Sequence, residues 1–578
     1  MKKLLYLTLA LGMVLGFSSC KLDYFPDDEL SGEVLLSGPA GAQYVVDGCY
    51  AMLKDEYEYI EYASGNTYVR HYFQMSEFPA DNTCLSGRTT DPLYQAASLT
   101  MTDNLKNVGL FWWIGYRVAY SANTVIEKFA EGQNDESDQL IGEAYFLRAL
   151  VHLNMVTIFA KPYILGRDNM GIPLRISTNT TETSRATVGE VYDQIVKDLR
   201  KAADLMTSRK NATWAAGYGS KNAALGLLSR VYLYMEENQK VLDVISEMGD
   251  PESYLDSDLP KYFINARTSK ETLFLSAHTA NETRNKSSIG SMYNADGDGW
   301  GEVYASDPLL NLYERYPDDK RLSFIVPDYA ASGKDVVYFS AVSSVSEEGF
   351  GYRSNLTGEV KTDIEGKYCI IEEPDPSDPE GKKTISVTCR ISDVKVNGMN
   401  EEDPSGEYTL HFVEYKGVKY PARFTKAMMQ RNTFPMFFVT KFSYQDGDPR
   451  HSSPVFLRWA EIVLNRAEAE AKLGKNAEAL ADVNIIRKRA GIPDEGMFSA
   501  GNMHGYTDVL DVVLDERRME LAFEGHRLFD IIRNRRSINR QFGGVQPWEI
   551  VKYDDQRLQF PIPYGETSVS HIPQNPGY

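Results

Sequence analysis

Two short stretches carry residue types at spacings that could do chemistry. NADGDGW, residues 294–300, sets Asn294, Asp296 and Asp298 at alternate positions and follows them with Gly299. Oxygen ligands spaced this way ahead of a turn glycine form the first half of a calcium loop. The twelfth position is Ala305, where such a loop needs a bidentate Glu, so the same stretch also reads as a Gly/Asp turn that presents Trp300. GFSSCKLDYFPDDEL, residues 16–30, runs the small pair Ser18 and Ser19 into Cys20. A thiol placed there can take a diacylglyceryl group and become a lipid-bearing N-terminus; alternatively the chain is cut near Ser19 and Cys20 is incidental.

Other catalytic patterns are missing. None of the eight histidines stands in H-E-x-x-H, and there is no Cys-x-x-Cys, G-x-S-x-G or Walker A loop. The 81 Asp and Glu permit a carboxylate pair for glycoside hydrolysis but select none. Aromatic residues are a further signal. Tyr293, Trp300 and Tyr304 cluster in the middle of the chain, and Trp112 and Trp113 follow the polar segment 81–103. Flat rings stack on sugar faces while Asp, Asn and Arg bond the hydroxyls, and a pocket needs both kinds of group. A helix points neighbouring side chains in different directions, so one of Trp112 and Trp113 is expected to be buried.

Lys2 and Lys3 precede an apolar run over residues 4–17. That run is too short to span a bilayer and matches the apolar region of a secretory signal. No later stretch is apolar enough to span, so membrane attachment rests on Cys20. The net charge of −20 argues against nucleic acid and against adsorption to anionic membranes; it is silent on a neutral ligand. Cys49, Cys84, Cys369 and Cys389 are too few for a disulfide scaffold. Cys49 lies in a helical pattern and reads as a buried thiol. Cys369 and Cys389 share a strand-like region and can pair in an oxidising compartment or stay as thiols, as geometry decides.

The elements that must position these groups are mostly helical. Apolar spacing predicts helices over 40–59, 111–130, 140–159, 188–206 and 221–235, the last with Ser220 as N-cap. Residues 280–440 are rich in Gly, Asp, Ser and Tyr. They read as a loop-rich region with short strands at 336–338, 368–371, 385–391 and 408–415. Helix returns in a hairpin at 458–493 and a pair at 508–533. The hairpin's large, small and glycine positions suit a tetratricopeptide-like unit of about 34 residues. Glu516, Arg517, Arg518, Glu520, Glu524 and Arg527 mix both signs and read as a structural ion-pair network rather than a catalytic site.

Several stretches in order resemble the SusD/RagB family of nutrient-binding outer-membrane lipoproteins. They are KLDYFPDDELS after Cys20, DGCYAML at 47–53, SEFPADN at 76–82 and YRVAYSANTVIEKF with GEAYFLRALVHLNMVTIFAKPYIL. RWAEIVLNRAEAEAKLG, LDERRMELAFEGHRLFDIIR and the ending LQFPIPYGETSVSHIPQNPGY complete the set. The resemblance implies a mostly α fold with tetratricopeptide-like helical hairpins and no cofactor or catalysis. It implies a signal peptide at 1–19, a lipidated (palmitate-bearing) tether at 20–39 and a single domain at 40–578. Within that domain the helical scaffold would occupy 40–280 and 450–540, and a ligand-side insertion about 280–440. The implied function is cell-surface capture of an oligosaccharide, passed to a SusC-like TonB-dependent transporter, with contact to the outer membrane through the lipid alone. A peptide ligand, as in RagB-like members, is the alternative, and a glycoside hydrolase a more distant one. By position, the ligand residues would be Asp81, Asn82, Arg88, Trp112, Trp113, Tyr293, Asp296 and Trp300.

Overall fold

The computed structural model describes residues 39–57, 66–86, 89–179, 184–206, 215–345, 351–380, 382–397 and 407–578. Residues 1–38, on which the expected signal peptide, Cys20 and all but the last residue of the expected tether at 20–39 fall, lie outside the described residues, as does Arg88.

The predicted helices form, with ends shifted by a few residues. They are α1 (Pro39–Lys54), α3 (Lys106–Lys128), α4 (Asp135–Phe159), α5 (Val188–Leu205) and α6 (Lys221–Tyr234); two more, α2 (Tyr68–Glu77) and α7 (Asn238–Met248), form outside the predicted spans. Local signals set their starts. Asn134 caps α4 and Ser220 caps α6, and a full capping box of Thr187 and Glu190 opens α5. α4 is buried along most of its length because α3 and α5 flank it. α5 is one-sided and buries Val191, Tyr192, Ile195, Leu199 and Ala202.

The chain returns to this body through a strand pair, Thr272–Leu275 with Val455–Arg458. Helices α8 (Trp459–Lys472), α9 (Asn476–Arg489), α10 (Val509–Glu520) and α11 (Arg527–Arg533) follow. Their charges form the expected network, and it is buried. The Arg458 guanidinium donates to Glu271, Glu520 and Glu524 at 2.7–2.9 Å. Arg321 and Arg487 both reach Glu516, at 2.7 and 2.9 Å. Buried charges in this number stay charged because each is paired and hydrogen-bonded. The C-terminus is tied down by Asn575, whose amide donates to the carbonyls of Phe159 and Phe560, each at 2.8 Å.

The central region differs from the loop-rich expectation. Six strands close into an antiparallel barrel: β1 (Asp335–Val345), β2 (Gly351–Asp363), β3 (Gly366–Pro374), β4 (Thr384–Asn397), β5 (Glu407–Tyr415) and β6 (Val418–Lys426). Each pairs with its sequence neighbour, and β6 closes on β1. Val337, Phe339, Ala341, Cys369, Ile371, Cys389, Val413, Tyr415 and Tyr420 fill a core separate from the helical one. The four predicted short strands are fragments of longer ones. β2 went unrecognised because its inward row contains Gly358, a loop signal. A Cβ there would stand 2.7 Å from the Cβ of Cys369, so the packing of the barrel requires glycine. Lys416 and Gly417, with φ of 51° and 78°, make the two-residue turn that suits a tight hairpin.

The barrel hangs from a narrow stalk. Ala427 N–H donates to the Lys334 carbonyl at 2.8 Å, and Tyr329 bridges Met428. Beyond the stalk, a small hairpin of β7 (Gln430–Arg431) and β8 (Phe434–Pro435) returns to the helical body.

Candidate functional site

The best-equipped depression is built around Trp300. Thr67 caps α2 by accepting from Arg70 N–H at 3.2 Å, which fixes Arg70 in the first turn. After α2, strand Thr83–Leu85 pairs antiparallel with Val303–Ala305 and draws the Trp300 turn toward that helix end. Trp300 N–H donates to the Ser291 carbonyl at 2.6 Å, and Arg431 on β7 donates to the Trp300 and Gly301 carbonyls at 2.7 and 3.1 Å. The Arg70 guanidinium lies over the Trp300 ring, 4.9 Å from its centroid. It also donates to Asn66 at 2.6 Å.

Asp91, Lys286, Asp298 and Glu302 complete a depression of about 490 Å³. Asp91 is oriented by Gln74 and Leu93 N–H, at 2.8 and 2.9 Å. Burial pushes the Glu302 carboxyl up from its ordinary range, and the charge of Asp91 adds to this against Thr89 and Arg431. A half-buried indole ringed by acceptors and two cations can stack on an apolar sugar face and bond its hydroxyls.

Other residues expected on the ligand side turn out to be internal. Asp81 is buried and gripped by Arg527 at 2.7 and 3.0 Å. Burial alone would raise its carboxyl; Arg518 and Arg527 outweigh it and hold it down at about 2. Asn82 is fully buried and accepts from Arg518 at 2.8 Å. SEFPADN is therefore a clamp between α2 and the α10–α11 region. Tyr293 is fully buried against Phe442 and Phe523. Trp112 is the buried tryptophan of its pair and meets Phe159 edge-on at 4.9 Å.

The NADGDGW turn does not converge on a cation. Asn294 is 4% exposed, accepts from Asp296 N–H at 3.1 Å and donates to Ser443 at 3.4 Å. Asp296 accepts from the Tyr444 hydroxyl instead, while Asp298 lines the Trp300 depression. Among the described residues no three His, Cys, Asp or Glu are grouped to hold a metal. Cys369 and Cys389 are free, buried thiols directly opposite each other on β3 and β4.

Trp113 belongs to a second depression of about 500 Å³, with Tyr116, Arg117 and Tyr120 on α3 and Arg175 and Glu566 facing them. Sequence reading missed Arg70, Asp91, Glu302, Arg117, Tyr120 and Arg175. Arg117 and Tyr120 were within reach of it, since they stand four and seven residues after Trp113 on one helical face. Arg70, Asp91 and Glu302 meet only through tertiary structure.

Two sequence profiles match the chain: the SusD family over residues 270–578, and a family described as starch-binding associating with the outer membrane over 22–233. The SusD-like protein P38 of Formosa agariphila is 22% identical over 486 residues, covering 81% of this chain and 80% of that protein. A SusD superfamily protein of Bacteroides thetaiotaomicron, at 21% identity, superposes with a TM-score of 0.66 over 93% of this chain and 99% of its own. A SusD-like carbohydrate binding protein of Bacteroides vulgatus, at 18% identity, gives 0.58 over 86% and 84%. The chain belongs to the SusD family.

Proposed function

We propose that this SusD-family chain is a non-catalytic, outer-membrane-associated glycan-binding protein that holds an oligosaccharide at Trp300 and passes it to a SusC-like TonB-dependent transporter. The observation that carries this reading is the Trp300 ring itself. It is half-buried, packed by Arg70 and bordered by Asp91, Asp298 and Glu302, and Arg431 holds the backbone carbonyl of the same residue. The solved relative named as carbohydrate binding and the family described as starch-binding support the same ligand class. The carboxylates outnumber the cations lining this depression, which suits an uncharged sugar unit.

Isothermal titration of the soluble chain beginning after Cys20, with ligands first identified on a glycan array, tests the reading. Trp300→Ala is expected to weaken binding by about 2 kcal/mol, roughly 30-fold, with the fold retained. Unchanged affinity in the variant removes Trp300 from the site. Capture of peptides and no glycan on the array would move the chain to the peptide-binding branch. Cleavage of the bound oligosaccharide on long incubation would make it a hydrolase.

A further inference from the structure

The second depression differs from the first in charge. Trp113, Arg117 and Tyr120 form a stripe along the outer face of α3, with Tyr120 57% exposed. The opposite wall is backbone held in place. Tyr116 hydroxyl donates to the Pro173 carbonyl at 2.8 Å, Asn123 to the Arg175 carbonyl at 3.1 Å, and Arg185 to the Gly171 carbonyl at 2.7 Å. The backbone from which Arg175 projects is thus held in place, and its side chain lines the depression. Arg117 packs its flat face on the Trp113 ring at 4.7 Å. Stacking of that kind leaves the guanidinium edge, with its fork of N–H donors, for a planar or tetrahedral anion.

Among the described residues, Glu566 is the one carboxylate lining this depression, against Arg117 and Arg175, and Arg185 adds its charge beside Tyr116. On a chain of net charge −20 this is a local positive excess. The depression is also joined to the Trp300 site by a short relay. The Tyr57 ring meets Trp113 edge-on at 5.8 Å, and Tyr57 N–H donates to the Asn66 carbonyl at 3.2 Å. Asn66 in turn accepts from Arg70, which covers Trp300.

We propose that the Trp113–Arg117–Tyr120–Arg175 depression is a second subsite that takes an acidic sugar unit, through a uronate carboxylate or a sulfate ester. The inference rests on the reading of Trp300 as a glycan site, and places the acidic unit on the same glycan. Rings recognise the sugar face, and the two guanidiniums recognise the anion.

Titration with oligogalacturonate, a sulfated galacto-oligosaccharide and a neutral galacto-oligosaccharide tests it, at low and high salt. At least one acidic oligomer is expected to bind about tenfold tighter than the neutral one at low salt, and to lose that margin at high salt. The double variant Arg117→Ala/Arg175→Ala should erase the margin and leave neutral binding and the melting temperature unchanged. Whichever acidic oligomer keeps the margin identifies the anion. Equal binding of all three oligomers, or wild-type acidic binding in the double variant, overturns the second subsite while leaving Trp300 in place. If Trp300→Ala changes nothing, or no oligosaccharide binds wild type, the glycan reading falls and this inference with it.

Discussion

Glu77 shows how one buried side chain can govern response to pH. It ends α2 fully buried, and its carboxyl accepts from Gly525 N–H at 2.6 Å. Burial pushes this carboxyl up to about 8, although Gly525 N–H and Lys441 oppose the shift. Between the ordinary Glu range and about pH 8 the native state holds a proton that the unfolded chain has released. Stability from this group is therefore complete below the unfolded value and lost as pH rises through the folded one. Glu77→Gln keeps an acceptor for Gly525 and has no proton to lose. Its melting temperature should match wild type in mild acid and exceed it increasingly toward pH 8, at ~1.4 kcal/mol per unit at most. Parallel curves for the two proteins would mean that Glu77 is ionised throughout. The same scale explains why Asp81 and Asn82 misled a reading by position. A polar loop flanking a helix looks like a surface, and only Arg518 and Arg527, more than four hundred residues later, reveal a clamp. That pairing also gives a physical reason for SEFPADN and LDERRMELAFEGHRLFDIIR to appear in one chain.

At the scale of elements, the long helices were legible, while α2, α7 and the closure of the barrel were not. The capping residues Thr187 and Ser220 and the one-sided pattern of α5 are local, so sequence spacing displays them. A closed barrel hides its inner row among charged outer residues, and its register is fixed by pairing with distant strands. Cys369 and Cys389 were readable as neighbours in a strand region, but not as direct partners across it. We propose that they join when the protein meets an oxidant. Treated with oxidised glutathione and then denatured, the chain beginning after Cys20 should show two titratable thiols, Cys49 and Cys84, and four after reduction. Four before reduction would mean that the pair stays open. Of the Trp300 site, sequence supplied the ring, and named Asp296 where Asp298, read there only as a calcium candidate, lines the depression; Arg70 and Glu302 come together only because two three-residue strands pair.

For the whole molecule, the mode of attachment decides how its surface is presented. No helix among the described residues is long and apolar enough to cross a membrane. We propose that residues 1–19 are removed and that Cys20 carries the lipid. Cys20→Ala should then abolish both labelling by radioactive fatty acid and retention in the membrane fraction; a variant that keeps either one would place the anchor elsewhere. An acyl chain at Cys20 would tether the body through residues 20–38, leaving both depressions to be presented by the folded part. The two depressions lie on either side of the Tyr57–Asn66 contact, so ligand length as well as composition should affect affinity.

The stalk beneath the barrel has a consequence for descent. Chain entry and exit stand side by side at Lys334 and Ala427, where backbone hydrogen bonds join Ala427 to Lys334 and Ala330, and Met429 to Asp328. The strands between them enclose a core of their own, and Val336 and Tyr338, the bonds of Arg423 to Asp307, Asn311 and Glu314, and the Trp548 ring beside Tyr420 join them to the body. A gene segment coding for such a unit can be gained, lost or exchanged at one hairpin without rerouting the helices around it. On this topology the barrel is a cassette, placed to diversify while the helical scaffold keeps its shape.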